Sequence, residues 1–155
     1  MSQTPEILDA VVDRLKERFG KGLAVELFPE NPKNYRLNHP VGAILVAFSG
    51  SRFARSDALD AVFQERDMTI PLTLVFRQLN GPQGVVGYLD QIREALTGFT
   101  PPHCCIALAP TDESFIGQVA GLWQYAQKYQ TRTTQAQVQG PEPGPSFKPF
   151  FEDLS

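Results

Sequence analysis

The sequence has few of the residues that build metal and redox sites. Its 155 residues include two cysteines and two histidines. Cys104 and Cys105 are adjacent, so in a strand they point to opposite faces and form neither a disulfide framework nor a metal site. No second His or Cys lies at metal-binding spacing from His39, which is interpreted as a loop residue. We therefore expect no metal, no cofactor and a reducing compartment.

Long apolar runs and basic runs are also missing. The 14 Lys and Arg residues are balanced by 17 Asp and Glu, for a net charge of −3, and no basic cluster marks a nucleic-acid footprint. No stretch approaches the ~20 apolar residues of a membrane span, and the first residues lack the pattern of a secretory signal. We expect a soluble, unexported protein with no membrane partner and no sequence-specific nucleic-acid partner.

Catalytic motifs are absent as well. The stretch "GPQGVVG" lacks the Lys-Ser/Thr ending of a phosphate loop and has a proline where an N–H group would contact phosphate. His103 and Cys104 would face opposite sides of a strand with no third group to orient the imidazole, so His103 is interpreted as an ordinary strand residue. Asp57 and Asp60 lie among arginines, as in a solvated, self-paired loop. The sequence predicts no catalytic residues and no enzyme.

The first half of the chain has clear local signals. The stretch "TPEILDAVVDRLKERFG" predicts an amphipathic helix capped by Thr4, with Pro5 at its first position and Gly20 at its end. Strands are predicted over residues 23–28 and 43–48, the second apolar enough to be covered on both faces.

A third strand is predicted over residues 68–79, which alternate clearly from Thr69 onward, and Pro71 indicates an edge or a bulge near its start. Between the second and third strands, residues 49–67 are polar and charged. This segment is predicted to be a long loop, and loops of this length are usually functional or flexible.

The second half begins with a helix over residues 82–97. Its apolar stripe consists of Val85, Leu89, Ile92 and Leu96, and Gly98 ends it. The stretch "HCCIALAP" predicts a fourth strand. The next segment, from Ser114, fits either a helix or a strand; a strand is favoured because aromatic and Thr residues are enriched and two glycines weaken a helix.

The order α-β-β-β-α-β-β predicts an α+β fold, in which two helices pack on a mixed or antiparallel sheet. The length of the chain and its 42% hydrophobic content fit one domain, assigned to residues 1–138. Residues 139–155 contain four prolines and two glycines and predict an extended C-terminal arm. Trp123, Tyr125 and Tyr129 are interpreted as the core face of a strand or, in part, as an intersubunit surface.

Two groups of residues are candidates for protein contacts. Arg52 and Arg55, in the charged loop, suit an acidic partner surface. Phe147, Phe150 and Phe151 would expose apolar surface unless the arm docks, either on its own domain or on a neighbour, and both alternatives stay open.

Several phrases together resemble one protein family. They are "ILVAFSGSRF", "TIPLTLVFRQLNG", "GVVGYLDQIREALTGFTPP" and "DESFIGQVAGLWQYAQKYQTRT". In pattern and order, from about Thr4 to Thr133, the chain is similar to the tail-terminator (tail-completion) proteins of Mu-like contractile-tailed bacteriophages. No residue-level role transfers with this resemblance, because the family's contacts are spread over surfaces.

The resemblance implies a structural virion protein that is not an enzyme and needs no cofactor. Six copies would form a ring on the head-proximal end of the tail tube and sheath, assembled in the host cytoplasm. The ring would stop tail polymerisation and join the connector proteins of the head neck. The alternatives are another head-tail neck or connector protein, or a small ligand-binding domain of a bacterial host, which would need a polar pocket.

Overall fold

A computed structural model describes residues 2–54 and 63–136 of the chain. The helices and strands are, in chain order, α1 (Gln3–Phe19), β1 (Ala24–Leu27), β2 (Gly42–Val46), β3 (Gly50–Phe53), β4 (Phe63–Phe76), α2 (Val85–Leu96), β5 (Cys104–Val119) and β6 (Leu122–Ala136). The predicted α+β class is confirmed. In the described part of the chain, neither helix has the length and apolar character needed to cross a membrane.

The strands form one mixed sheet in the order β1-β2-β4-β6-β5. Strands β1 and β2 are parallel, and all other pairs are antiparallel. Strands β2 and β3 pair with the same edge of β4. Strand β2 pairs with residues 72–76 and β3 with residues 66–69, nearer the start of β4. The predicted mixed sheet is thereby confirmed, and the described residues form one more strand than the sequence indicated.

Both helices contribute to one hydrophobic core on one face of the sheet. The buried side chains of this core include Ile7, Val11 and Leu15 from α1, Met68, Ile70, Leu72, Leu74 and Phe76 from β4, and Val85, Leu89, Ile92 and Leu96 from α2. Alternate residues of β4 therefore face the helices, as the period of a strand requires. The predicted apolar stripe of the second helix is confirmed.

Strand β2 is buried on both faces, as its apolar sequence predicts. Ile44 and Val46 belong to the helix-side core. Ala43 and Leu45 pack on the opposite face with Val75, where side chains of the loop before β2, including Tyr35, contact them.

The helix boundaries differ from those predicted. Helix α1 begins at Gln3, and Ser2 at its N-cap makes no side-chain capping bond. Thr4 is inside the helix, and its hydroxyl instead accepts a hydrogen bond of 2.9 Å from Arg66. Helix α2 begins at Val85, because residues 81–84 form a turn in which Gly84 N donates to Gly81 O at 3.0 Å.

The predicted loop over residues 49–67 is partly wrong. Its first residues form β3 and its last residues belong to β4, so the connection is shorter than expected. Pairing with β4, from Gly50 opposite Thr69 to Phe53 opposite Arg66, outweighs the polar composition of β3.

Pro71 lies inside β4, between the residues that pair with β2 and those that pair with β3. Here residues 47–49 oppose residues 70–71, and Ala47 N donates to Pro71 O at 3.0 Å. The N–H group that proline lacks falls at this irregularity, so the predicted bulge is confirmed.

The last two strands form a long hairpin. The preference for a strand after Ser114 is confirmed, but β5 continues to Val119, well beyond the predicted strand. Ala120 and Gly121 make the turn with φ of +52° and +80°. Strand β5 is an edge of the sheet and has four register shifts against β6.

Candidate protein-contact surfaces

Only one of the predicted contact residues lies within the described part of the chain. Arg52 is on β3 and is exposed to solvent. Arg55 and the three phenylalanines Phe147, Phe150 and Phe151 lie outside the described residues, as do Asp57 and Asp60. Their predicted roles therefore stay predictions.

The two histidines stabilise local structure. His39 Nδ1 accepts hydrogen bonds from Val41 N at 3.0 Å and Gly42 N at 3.4 Å, which leaves Nε2 to donate to Lys21 O at 2.8 Å. The interpretation of His39 as a loop residue is confirmed. These bonds hold the chain that enters β2.

The interpretation of His103 as an ordinary strand residue is wrong. It precedes β5 with a φ of +69°, and its Nε2 lies 2.6 Å from Glu6 Oε1 on α1. Cys104 is half-buried, and burial raises the pKa of its thiol. Cys105 is exposed and its Sγ donates to Arg132 O at 3.3 Å. Within the described ranges, no group of three or more His, Cys, Asp or Glu residues could hold a metal ion.

A buried polar network joins α2 to the hairpin. Gln127 is fully buried, and its Nε2 donates to Leu89 O at 3.1 Å and to Glu113 Oε1 at 2.9 Å. Its Oε1 accepts a hydrogen bond of 2.6 Å from the hydroxyl of Tyr129. Glu113 also binds Arg93 of α2, at 2.7 Å. Gln127 gives no signal in the sequence, because only the strand register shows that it faces α2.

This network is structural. Tyr129 is fully buried, which confirms the prediction that it lies on the core face of a strand, and burial raises the pKa of its hydroxyl. The polar atoms of Gln127 are engaged within the protein and fix α2 against β5 and β6.

A depression between the two helices is lined by charged side chains, among them Arg14. Arg14 is engaged in packing: its Nε donates to Ala95 O at 2.9 Å, and its guanidinium lies 5.1 Å from the ring centre of Phe99. Arg14 thus links α1 to α2 and to the segment that follows α2.

Apolar side chains are exposed around the turn of the hairpin. Phe115, Ile116 and Val119 are 53%, 51% and 56% exposed. The ring of Phe115 lies 5.3 Å from that of Tyr125 and 6.2 Å from that of Trp123, and both of these rings pack partly against the main core. These five residues are named the hairpin-end patch. Exposed apolar residues grouped in this way are typical of a contact surface.

The hairpin-end patch covers both faces of the hairpin. Phe115 pairs in register with Tyr125, on the side of the helices, and Val119 pairs with Leu122. Ile116 is the extra residue at a register shift. A partner can therefore contact apolar side chains around the whole end of the hairpin.

A second exposed aromatic group lies at the other end of β4. The guanidinium of Arg66 lies 5.4 Å from the ring centre of Phe48 and 5.9 Å from that of Phe53. Arg66 also donates to Ser51 Oγ at 2.8 Å and to Thr4 Oγ1 at 2.9 Å. The group of Phe48, Phe53 and Arg66 is named the Arg66 cluster, and these hydrogen bonds hold its cation in place.

The fold and these surfaces define a small α+β domain with exposed apolar groups at both ends of one sheet. A family model described as Gp37 protein matches residues 11–153. The chain belongs to the Gp37 family. The match extends past β6 and includes most of the Pro-rich C-terminal segment.

Other known proteins add information about the fold. A search of curated proteins found no match. Among solved structures, the chain is similar to a chain described as "Virion of native gene transfer agent (GTA) particle", with a TM-score of 0.53 and 11% sequence identity. The similarity covers 84% of this chain and 96% of that chain. At this identity it shows a shared fold.

Proposed function

We propose that this chain is a structural protein of a phage-like virion and acts as its tail terminator. Membership of the Gp37 family, which is phage-associated, carries the virion assignment. The similarity in fold to a chain of a gene transfer agent virion supports it. The finer role, at the head-proximal end of a contractile tail, rests on the sequence resemblance to tail terminators.

The proposed assembly is a cyclic homo-oligomer, the hexamer that the resemblance implies. In a head-to-tail ring, each subunit contacts its two neighbours through two different surfaces. The hairpin-end patch and the Arg66 cluster are two such surfaces. They lie at opposite ends of β4, because Phe76 pairs with Trp123 at one end and Phe53 with Arg66 at the other.

Helix α2 gives the proposed ring a rigid element. It is fixed to the hairpin by Arg93, through Glu113, and by Gln127. These bonds hold the hairpin-end patch at a defined orientation to the helices. A defined orientation is needed because a ring closes only when its contact surfaces keep a constant angle.

The proposed partners are the tail tube and sheath proteins on one side of the ring and the neck connectors on the other. Arg52, exposed on β3, and Arg55 are proposed to contact acidic surfaces of the tail. No catalytic step and no cofactor are part of the proposal.

Loss of the protein tests the terminator role. We expect particles made without it to have tails of uncontrolled length, and the purified chain to form a ring of defined mass in light scattering. Tails of normal length that fail to join heads would instead identify another neck or connector protein. A chain that stays monomeric, with normal tails and normal joining, would contradict both.

The role of Arg52 is tested by charge reversal. We expect Arg52→Glu to weaken binding to isolated tails, most clearly at low salt, where exposed charges are least screened. Arg36→Glu, an exposed arginine in the loop before β2, is the matched control. Equal binding by both variants and the unmodified chain would remove Arg52 from the contact.

A further inference from the structure

The hairpin-end patch is apolar on both faces of the hairpin and is left exposed by the rest of the described chain. The C-terminal segment has the complementary chemistry, because Phe147, Phe150 and Phe151 lie within five residues of one another. Aromatic rings pack favourably on other aromatic rings in tilted arrangements, such as those of Phe115 with Tyr125.

The segment leaves the sheet at the wrong end to cover its own patch. It follows Ala136, which pairs with Phe63, whereas the patch lies at the start of β6. Eleven residues separate Ala136 from Tyr125, a distance of about 36 Å along a strand. From Ala136 to Leu122, opposite Val119, the distance is about 46 Å.

The arm is too short to place all three phenylalanines there. Phe147 follows Ala136 by eleven residues, so an extended Pro-rich chain carries it at most about 34 Å. Phe150 and Phe151, at about 43 and 46 Å, reach the near edge of the patch at Tyr125, and the far end, where Val119 pairs with Leu122, only when the arm is fully extended along the sheet. On a neighbouring copy, the distance that the arm has to span is set by how the two copies pack and not by the length of β6, so all three phenylalanines can reach the patch of a copy packed closely enough.

We propose that the aromatic C-terminal segment of one copy docks on the hairpin-end patch of a neighbouring copy. The proposal rests on the proposed function in one respect, that copies of the chain lie side by side. Each subunit then gives one arm and receives one, which is the head-to-tail pattern of a closed ring.

Photo-crosslinking between isotopically distinct copies tests the proposal. Phe150 is replaced by p-benzoylphenylalanine in the full chain, ¹⁴N and ¹⁵N copies are mixed before assembly, and crosslinked peptides are identified by mass spectrometry after illumination. We expect crosslinks to residues 115–125 that join the two isotopes at the random frequency. Crosslinks within single copies, crosslinks elsewhere, or no crosslinks in the assembled protein would each overturn the proposal.

A matched pair of substitutions tests the docking site. Ile116→Asp should lower the yield of the crosslink at least about tenfold. Ile106→Asp, at another exposed apolar residue of β5, should leave it unchanged. Thermal melting shows whether both variants fold. Equal yields from two folded variants would overturn the assignment of the patch.

The outcome is separable from that of the proposed function. Crosslinks between copies in a protein that does not control tail length would support the docking and contradict the terminator role. Normal control of tail length by a chain with no crosslink between copies would support the terminator role and contradict the docking.

Discussion

Replacement of Gly42 by alanine is expected to destabilise the fold through a single steric contact. Gly42 pairs with Phe76, and a Cβ atom at Gly42 would lie 2.7 Å from Cγ and Cδ2 of the Phe76 ring. The ring cannot move away freely, because it is fully buried and lies 5.2 Å from the ring of Tyr88. The added methyl group must therefore displace a packed side chain.

The expected magnitude follows from two opposing effects. Overpacking of a core costs about 1–3 kcal/mol, whereas loss of glycine's freedom in the unfolded chain stabilises by about 0.4–1 kcal/mol. The free energy of unfolding should fall by about 1–2 kcal/mol, measured as a lower midpoint of urea denaturation at an unchanged slope. Gly50→Ala is the control, since a Cβ atom there meets nothing within 4 Å.

A double substitution identifies the cause. Phe76→Leu makes room beside residue 42, so Gly42→Ala should cost less in the Phe76→Leu background than alone, with a coupling of about 0.5–3 kcal/mol. If Gly42→Ala is as stable as the unmodified chain, or if the two costs simply add, the steric explanation is refuted.

Three further predictions concern α2 and its contacts. Leu89→Ala should lower the free energy of unfolding by about 2–5 kcal/mol, and a urea midpoint within error of the original would contradict its place in the core. Gln127→Met should cost about 1–3 kcal/mol by the same measurement, because it leaves the buried Tyr129 hydroxyl without its acceptor; an unchanged midpoint would show that the network is dispensable. Because burial raises the pKa of Tyr129 above its ordinary value of 10.0, the folded state keeps a proton that the unfolded state releases. Stability should thus fall as the pH rises above about 10, and Tyr129→Phe should reduce this loss; urea midpoints from pH 8 to 11 that fall equally in both proteins would contradict it.

Local sequence patterns determined the helices and strand β2. The spacing of Val85, Leu89 and Ile92 places them on one side of any helix, so the stripe could be predicted without knowledge of what it contacts. The continuous apolar run of β2 likewise requires cover on both faces. Burial of these segments follows from their own composition.

Pairing between distant segments decided other features. Strand β3 has a polar sequence and exists because β4 pairs with it. His103 meets Glu6, and Thr4 meets Arg66, only after the sheet brings the ends of α1 and of the strands together. Contacts of this kind have no signal in local spacing, so the predicted cap at Thr4 and the predicted role of His103 were wrong.

For the candidate contact surfaces too, some features follow from the local sequence and others only from the tertiary structure. The sequence by itself indicated that Arg52 is exposed, since a charged residue is rarely buried without a partner. The roles of Arg55, Phe147, Phe150 and Phe151 stay predictions. Phe115, Ile116 and Val119 have the composition of core residues, and only the tertiary structure leaves them uncovered, because they lie on an edge strand at the end of a hairpin. Whether an apolar side chain is core or surface depends on what packs against it, and that is a property of the whole fold.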